Sequence, residues 1–233
     1  MERTATGIKG FDKLVQGGLL RGKTVLLSGT PGTGKTIFAL QYIYNGATMF
    51  NEPGVYITFE ERVDSLKSQA MQFGWDLDRL EKEGKIRLLH IPVTTLNKNT
   101  VGNIIEIAKE FNAKRLVIDS LSTLSINTPS VISSAPHSGE FATKKFIYLF
   151  IDSLRQLKNT TTLLISQNAS EGGISNDSVS EFVCDGVIQF IYESMGGDFS
   201  RSLVIRKTRE IKNDSDIHPV EIGKEGIVVH DLK

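Results

Sequence analysis

The chain has 233 residues, 27 Lys plus Arg against 27 Asp plus Glu, and a single cysteine. A length like this suits one substantial core that buries roughly 70% of the unfolded chain's surface; nothing in the net charge points to a nucleic-acid or membrane partner, although local basic patches survive a neutral total. Cys184 alone cannot form an intrachain disulfide, no apolar run approaches a membrane span, and Glu2 and Arg3 lead into glycine-rich sequence without a signal-peptide apolar region, so the expectation is a cytoplasmic protein with no membrane partner.

In chain order, TVLLS (24–28) reads as a first buried strand and runs into SGTPGTGKT (28–36). The pattern G-x-x-x-x-G-K-[ST] is met by Gly29, Thr30, Pro31, Gly32, Thr33, Gly34, Lys35 and Thr36. Its glycines let backbone N–H groups wrap phosphates, the next helix offers its positive end, and Lys35 and the Thr36 hydroxyl address the β/γ-phosphates and a magnesium ion. A bare glycine-rich turn is the alternative, and the strand before it and the helix after it argue against that. The helix runs from about Lys35 to Phe50, too apolar all round to lie exposed.

Strands follow at GVYITF (54–59), KIRLLHI (85–91), RLVIDS (115–120) and TTLLISQ (161–167). Strands alternating with helices imply a mainly parallel sheet with helices on both faces. VIQFIY (187–192), SLVIRK (202–207) and GIVVH (226–230), with turns such as MGGD, read as an antiparallel extension. Two polar stretches, Ser122–Thr143 and Asn168–Ser180, read as long loops after strands. Residues 1–233 read as one α/β domain with no linker and no repeat.

A phosphate loop implies a nucleotide, whereas hydrolysis also needs a metal and an aligned water. Leu116, Val117 and Ile118 deliver Asp119 to a strand's C-terminal end, where it would hold magnesium together with Thr36. A helix-capping Asp-Ser is the bland alternative. Glu60 and Glu61 end another strand and point in different directions, so at most one faces the γ-phosphate. Glu60 is the candidate general base; a helix N-terminal acid pair is the competing reading. Trp75 with Phe73 reads as core, and His90, His137, His218 and His230 lack metal-ligand spacing.

TGIKGFDKLVQGGLLRGKTVLLSGTPGTGKT (6–36), EPGVYITFEE (52–61), FGWDL (73–77), RLVIDS and RSLVIRKTR (201–209) closely resemble a single domain of the KaiC family and, more broadly, the RecA/RadA recombinase superfamily. The resemblance spans most of Thr6–Val229 and thins over 92–112 and 122–146. It implies a RecA-type P-loop fold working as a homo-oligomeric ring or filament with ATP at subunit interfaces. Carried over residue by residue, it makes Gly29–Thr36 the phosphate loop, Glu60 the catalytic glutamate, Glu61 the second acid of a pair and Asp119 the magnesium-site aspartate. Gln167 resembles the recombinase glutamine that senses the γ-phosphate, and archaeal RadA paralogues share such a bare core. Lys207 and Arg209 match a Lys-x-Arg pair that reaches the neighbouring subunit's nucleotide; ordinary strand-edge charge is the alternative.

Glu210, Ile211, Lys212 and Asn213 depart from the family's Gly-Thr-Ser-His after that pair, which weakens the trans assignment. The stretch 168–180 falls where recombinases touch DNA, yet holds Glu171 and Asp177 and no Lys or Arg, so single-stranded DNA contact would have to come through the ring as a whole, in recombination or repair. The expectation is a magnesium-dependent ATPase cleaving the β–γ bond by in-line attack of water. A regulatory or DNA-associated module that uses ATP to control assembly, with little turnover, is the rival. A kinase is disfavoured because no acceptor pocket or lid is evident.

Overall fold

The computed structural model describes residues 2–127, 139–168, 173–192 and 200–231. A short antiparallel pair, β1 (Arg3–Thr4) with β2 (Leu19–Leu20), brackets α1 (Phe11–Leu14). The apolar runs then become strands where they are expected. β3 (Thr24–Gly29) leads into α2 (Lys35–Met49), and β4 (Gly54–Thr58) into α3 (Val63–Met71) and α4 (Leu77–Lys82). β5 (Ile86–His90) precedes α5 (Thr100–Glu110), and β6 (Arg115–Asp119) precedes α6 (Leu121–Asn127) and α7 (Gly139–Leu154). β7 (Thr161–Gln167), α8 (Ser180–Val183), β8 (Gly186–Tyr192), β9 (Arg201–Thr208), β10 (His218–Gly223) and β11 (Gly226–Val229) complete the chain.

The main sheet has nine strands in the order β11-β10-β9-β8-β3-β7-β6-β4-β5. From β8 to β5 all neighbours pair parallel, and from β8 to β11 all pair antiparallel. The antiparallel meander runs from β8 to β11 as expected, and it joins the parallel strands through β8, which lies parallel to β3. It also adds a strand, β10, whose sequence HPVEIG alternates around Pro219 and Glu221 and carries no apolar run to betray it. The MGGD turn lies outside the described residues.

The central strands bury both faces, which explains their unbroken apolar runs. Leu27, Tyr56, Val117 and Leu163 join α2, α3 and α4 in one core layer, where Trp75 stacks between Tyr44 and Phe73. Leu26, Val55, Ile57, Leu116, Ile118 and Leu164 face α5, α6 and α7 in the other. Cys184 is fully buried in that second layer, and burial pushes its thiol far above the usual range.

The polar stretch Ser122–Thr143 is partly helical rather than loop: α6 covers its start and α7 its end, while 128–138 fall outside the described residues. Hydroxyls hid these helices in the sequence. Leu121 and Leu124 give α6 a buried face, and Ser122 and Ser125 can be buried beside them because each is bonded, Ser125 Oγ donating to the Ser122 carbonyl at 3.0 Å. Of Asn168–Ser180, residues 173–179 are irregular and Ser180 opens α8; Glu171 lies outside the described residues.

One buried charge anchors the helix behind the phosphate loop. Arg115, fully buried at the start of β6, donates to Glu52 Oε2 at 2.7 and 2.9 Å, to the Tyr42 carbonyl at 2.8 Å and to the Ala5 carbonyl at 2.7 Å. It passes through the space left by Gly46, where an added Cβ would stand 2.4 Å from the Arg115 side chain. Each of its three nitrogens has an acceptor and its charge is paired with Glu52, which is the condition for keeping an arginine in a core.

Candidate active site

The parallel strands bring their C-terminal ends to one edge. Register places Gly29 beside Gln167 and Thr58 beside Asp119, so the ends of β3, β7, β6 and β4 lie in a row. A cleft of about 400 Å³ opens there, lined by Gly32, Gly34, Lys35, Thr36, Glu60, Glu61, Asp119 and Gln167 among others. Gly32 and Gln167 stand 135 residues apart in the chain, and the topology brings them to one cleft.

The loop between β3 and α2 is held by its glycines. A Cβ at Gly29 would meet the Phe190 carbonyl oxygen at 2.7 Å, and Gly34 caps α2 at φ 102°, a conformation that side chains disfavour. Thr33 Oγ1 donates to the Thr30 carbonyl at 2.9 Å. Lys35 is buried and donates to the carbonyls of Gly29 and Thr30, each at 2.8 Å. Burial lowers its ammonium to about 8, against the pull of Asp119 and Glu60, so it is a cation kept close to losing its proton.

Asp119 Oδ2 accepts from the Tyr56 hydroxyl at 2.6 Å and from Thr36 Oγ1 at 3.2 Å. Burial raises its carboxyl to about 6; the Tyr56 and Thr36 hydroxyls pull it down while Glu60 and Glu61 push it up. The oxygen-only donor pair of Thr36 and Asp119, with a carboxylate that desolvation leaves short of counter-charge, fits a hard divalent cation. Between the unfolded value near 3.8 and the folded value near 6 the native protein holds a proton that the unfolded chain has released, so stability falls as pH rises through that window. Asp119→Asn, without nucleotide and with chelator, should therefore melt at or above wild type at pH 8, with the gap closing toward pH 4. Thermal melts at the two pH values check this. A variant less stable than wild type by the same margin at both would show that the charge carries no such cost.

Glu60 and Glu61 part company as expected. Glu60 Oε1 accepts from Ser120 Oγ at 2.7 Å and from Thr123 Oγ1, and Gln167 Nε2 stands 3.4–3.5 Å from both carboxylate oxygens. Glu61 Oε2 turns to α3, accepting from Gln69 Nε2 at 2.5 Å and Ser65 Oγ at 3.0 Å. The Thr58 hydroxyl accepts from both backbone N–H groups and fixes the bend between them.

Lys207 and Arg209 do not line this cleft. They lie at the opposite end of β9 from Arg201, six residues or about 20 Å along a strand from Lys207. There Lys207 Nζ donates to the carbonyls of Glu181 and Phe182 at 2.8 and 3.2 Å, and Arg209 Nη2 to that of Phe182 at 2.8 Å, satisfying the C-terminal end of α8. Burial lowers the Lys207 ammonium, with Arg209 adding repulsion. Around Arg209, a groove of about 420 Å³ is lined by Tyr148, Leu149, Phe182 and Arg155.

Several site groups escape sequence reading. Arg201 lines the cleft, donates to the Gly32 carbonyl at 3.1 Å and lies 5.2 Å over the Tyr192 ring. Tyr56, Ser120 and Thr123 act only through neighbours, which no spacing rule announces. Ser120 alone carried a signal, as the residue following a strand-end acid.

This fold and cleft define a RecA-type P-loop protein with a C-terminal antiparallel part. The family model described as "ATPase: KaiC" matches residues 4–233, and the chain belongs to the KaiC family of ATPases. A UPF0273 protein of Thermotoga maritima is 33% identical over 247 residues, covering 99% of this chain and 96% of that protein. The circadian clock oscillator protein KaiC of a Nostoc species is 32% identical over 241 residues, covering 100% of this chain and 45% of that protein, so the chain spans about half of the clock protein. The crystal structure of a KaiC-like protein from Pyrococcus horikoshii superposes with a TM-score of 0.81 at 36% identity, covering 99% of both chains. Among the described residues no helix is long and apolar enough to cross a membrane.

Proposed function

We propose that residues 1–233 act as one ATPase domain that binds ATP with magnesium in the cleft and hydrolyses the β–γ bond. The observation that carries this reading is the convergence of Lys35, Thr36, Asp119 and Glu60 on one cleft at the strands' C-terminal ends. The Gly29–Thr36 backbone and Lys35 hold the phosphates, and Thr36 and Asp119 hold the metal, which when bound neutralises charge on the β- and γ-phosphate oxygens. Glu60 takes the proton of the attacking water; Glu61 is a second acid braced against α3, and Gln167 an amide beside the γ-phosphate.

The same proposal makes the protein a homo-oligomer, ring or filament, in which Lys207 and Arg209 serve the neighbour's nucleotide. Their distance from their own cleft supports a role in trans, and the exposed Tyr148, Leu149 and Phe182 around Arg209 form an apolar patch suited to a second copy. The rival reading, ATP-controlled assembly with little turnover, gains from one observation: the departing segment after Arg209 is tied to its own chain, Glu210 to Lys23 at 2.6 Å and Asn213 Nδ2 to the Ile205 carbonyl at 3.0 Å.

The test is phosphate release by wild type and Lys35→Ala with and without single-stranded DNA, beside sizing with and without ATP and magnesium. Lys35→Ala is expected to lose nucleotide binding, because its ammonium is the cation the loop offers the phosphates. If that variant binds ATP as tightly as wild type, the phosphates lie elsewhere.

A further inference from the structure

We infer that Ser120 and Thr123 are positioning residues for Glu60: the first turn of α6 holds the base by one carboxylate oxygen and leaves the other to the attacking water. This rests on the reading of Glu60 as general base and deepens it.

Ser120 Oγ accepts from the Thr123 backbone N–H at 3.1 Å, capping α6 at its third residue. Its lone hydroxyl proton is therefore free to be given to Glu60 Oε1 at 2.7 Å. Thr123 Oγ1 gives its own proton to the same oxygen. The two hydroxyls stand 3.1 Å apart, so they converge on Oε1 from neighbouring directions. An ionised carboxylate accepts on both oxygens, and this geometry saturates one of them. Oε2 faces Gln167 Nε2 at 3.4 Å, too long to compete with a water.

The same turn supports the opposite wall of the cleft. Ser122 Oγ, buried, accepts from the Gln167 backbone N–H at 2.9 Å and lies 3.3 Å from Ser166 Oγ. Ser120-Leu121-Ser122-Thr123 is thus one local element that places both Glu60 and Gln167. Its hydroxyls are buried or half-buried, and their partners include Glu60, Ser166 and the Gln167 backbone.

The prediction separates turnover from binding. Thr123→Val keeps the shape of the side chain and removes the donor. It is expected to lower kcat by roughly 10- to 100-fold, the scale set by small misplacements of a reacting group, while KM for ATP stays within about two-fold. Thr123→Ser, which restores the hydroxyl, should recover most of the loss. Ser120→Ala removes a donor and the helix cap together, so its melting temperature is measured beside its kcat.

The decisive arm is the double variant. In a Glu60→Gln background, Thr123→Val should change residual turnover by no more than about two-fold, because the amide that the hydroxyl would still hold cannot take the water's proton. If Thr123→Val lowers kcat equally in both backgrounds, or Thr123→Ser fails to rescue it, the clamp is overturned while Glu60 stands. If Glu60→Gln alone turns over like wild type, or wild type releases no phosphate above the Lys35→Ala blank, the base assignment itself fails and the clamp falls with it.

Discussion

Glu60→Gln is expected to bind ATP with nearly wild-type affinity and to lose about 10²–10⁴-fold in phosphate release, the range a positioned general base contributes. The amide keeps the length and planarity of the side chain, and its oxygen can still accept from Ser120 and Thr123. It cannot take a proton from water. The cleft's charge also changes: Glu60 raises both the Lys35 ammonium and the Asp119 carboxyl, so its removal favours deprotonation of each, weakening the pull that keeps Lys35 cationic and easing the ionisation of Asp119. Binding is therefore measured directly, by calorimetry or a fluorescent nucleotide, beside single-turnover phosphate release. Unchanged turnover would remove Glu60 and move attention to Glu61, whose carboxylate is braced by Gln69 and Ser65 but still borders the cleft.

How much of this was legible follows from where each signal is stored. Strands β3, β4, β6 and β7 bury both faces, so their apolar runs are nearly continuous and read directly. The phosphate loop is legible because the need for glycine is local, as at Gly29 against the Phe190 carbonyl. Asp119 and Glu60 are legible as acids at strand ends, because a parallel sheet sends those ends to one edge. What could not be read depends on partners distant in sequence. The Arg115–Glu52 pair spans 63 residues and is buried only because α2 supplies Gly46 and the Tyr42 carbonyl. β10 is held by its neighbours rather than by its own apolar content, and β8 owes its parallel pairing to β3 rather than to anything in VIQFIY. The serine-rich α6 looks like a loop until its hydroxyls find Glu60, Gln167 and one another.

Lys207 and Arg209 lie at the end of β9 away from their own chain's cleft. A guanidinium brought to a transferring phosphoryl group stabilises charge spread over its equatorial oxygens, worth about 10³–10⁵ in rate in phosphoryl-transfer enzymes. Arg209 cannot do this for its own chain, since its side chain reaches the Phe182 carbonyl and stands 3.8 Å from Asp185 at the far end of the sheet. In the proposed oligomer it would do so for a neighbour seated on the exposed Tyr148, Leu149 and Phe182 surface, once the carbonyls of α8 give up the guanidinium. Specific activity should therefore rise with protein concentration, and Arg209→Ala should bind ATP nearly normally while hydrolysing it poorly. Mixing Arg209→Ala with Glu60→Gln should restore part of the activity, because at half of the mixed interfaces, on random assembly, one type of subunit supplies the base and the other the arginine in one of the two orders. A Phe182→Glu variant sets the control, placing a carboxylate in the apolar patch without touching either cleft group, and it should lose the concentration dependence together with the larger species on a sizing column. Activity per molecule that stays flat across a wide dilution series, with a mixture as inactive as its parts, would return Lys207 and Arg209 to the task they visibly perform within one chain, which is to satisfy the carbonyl end of α8.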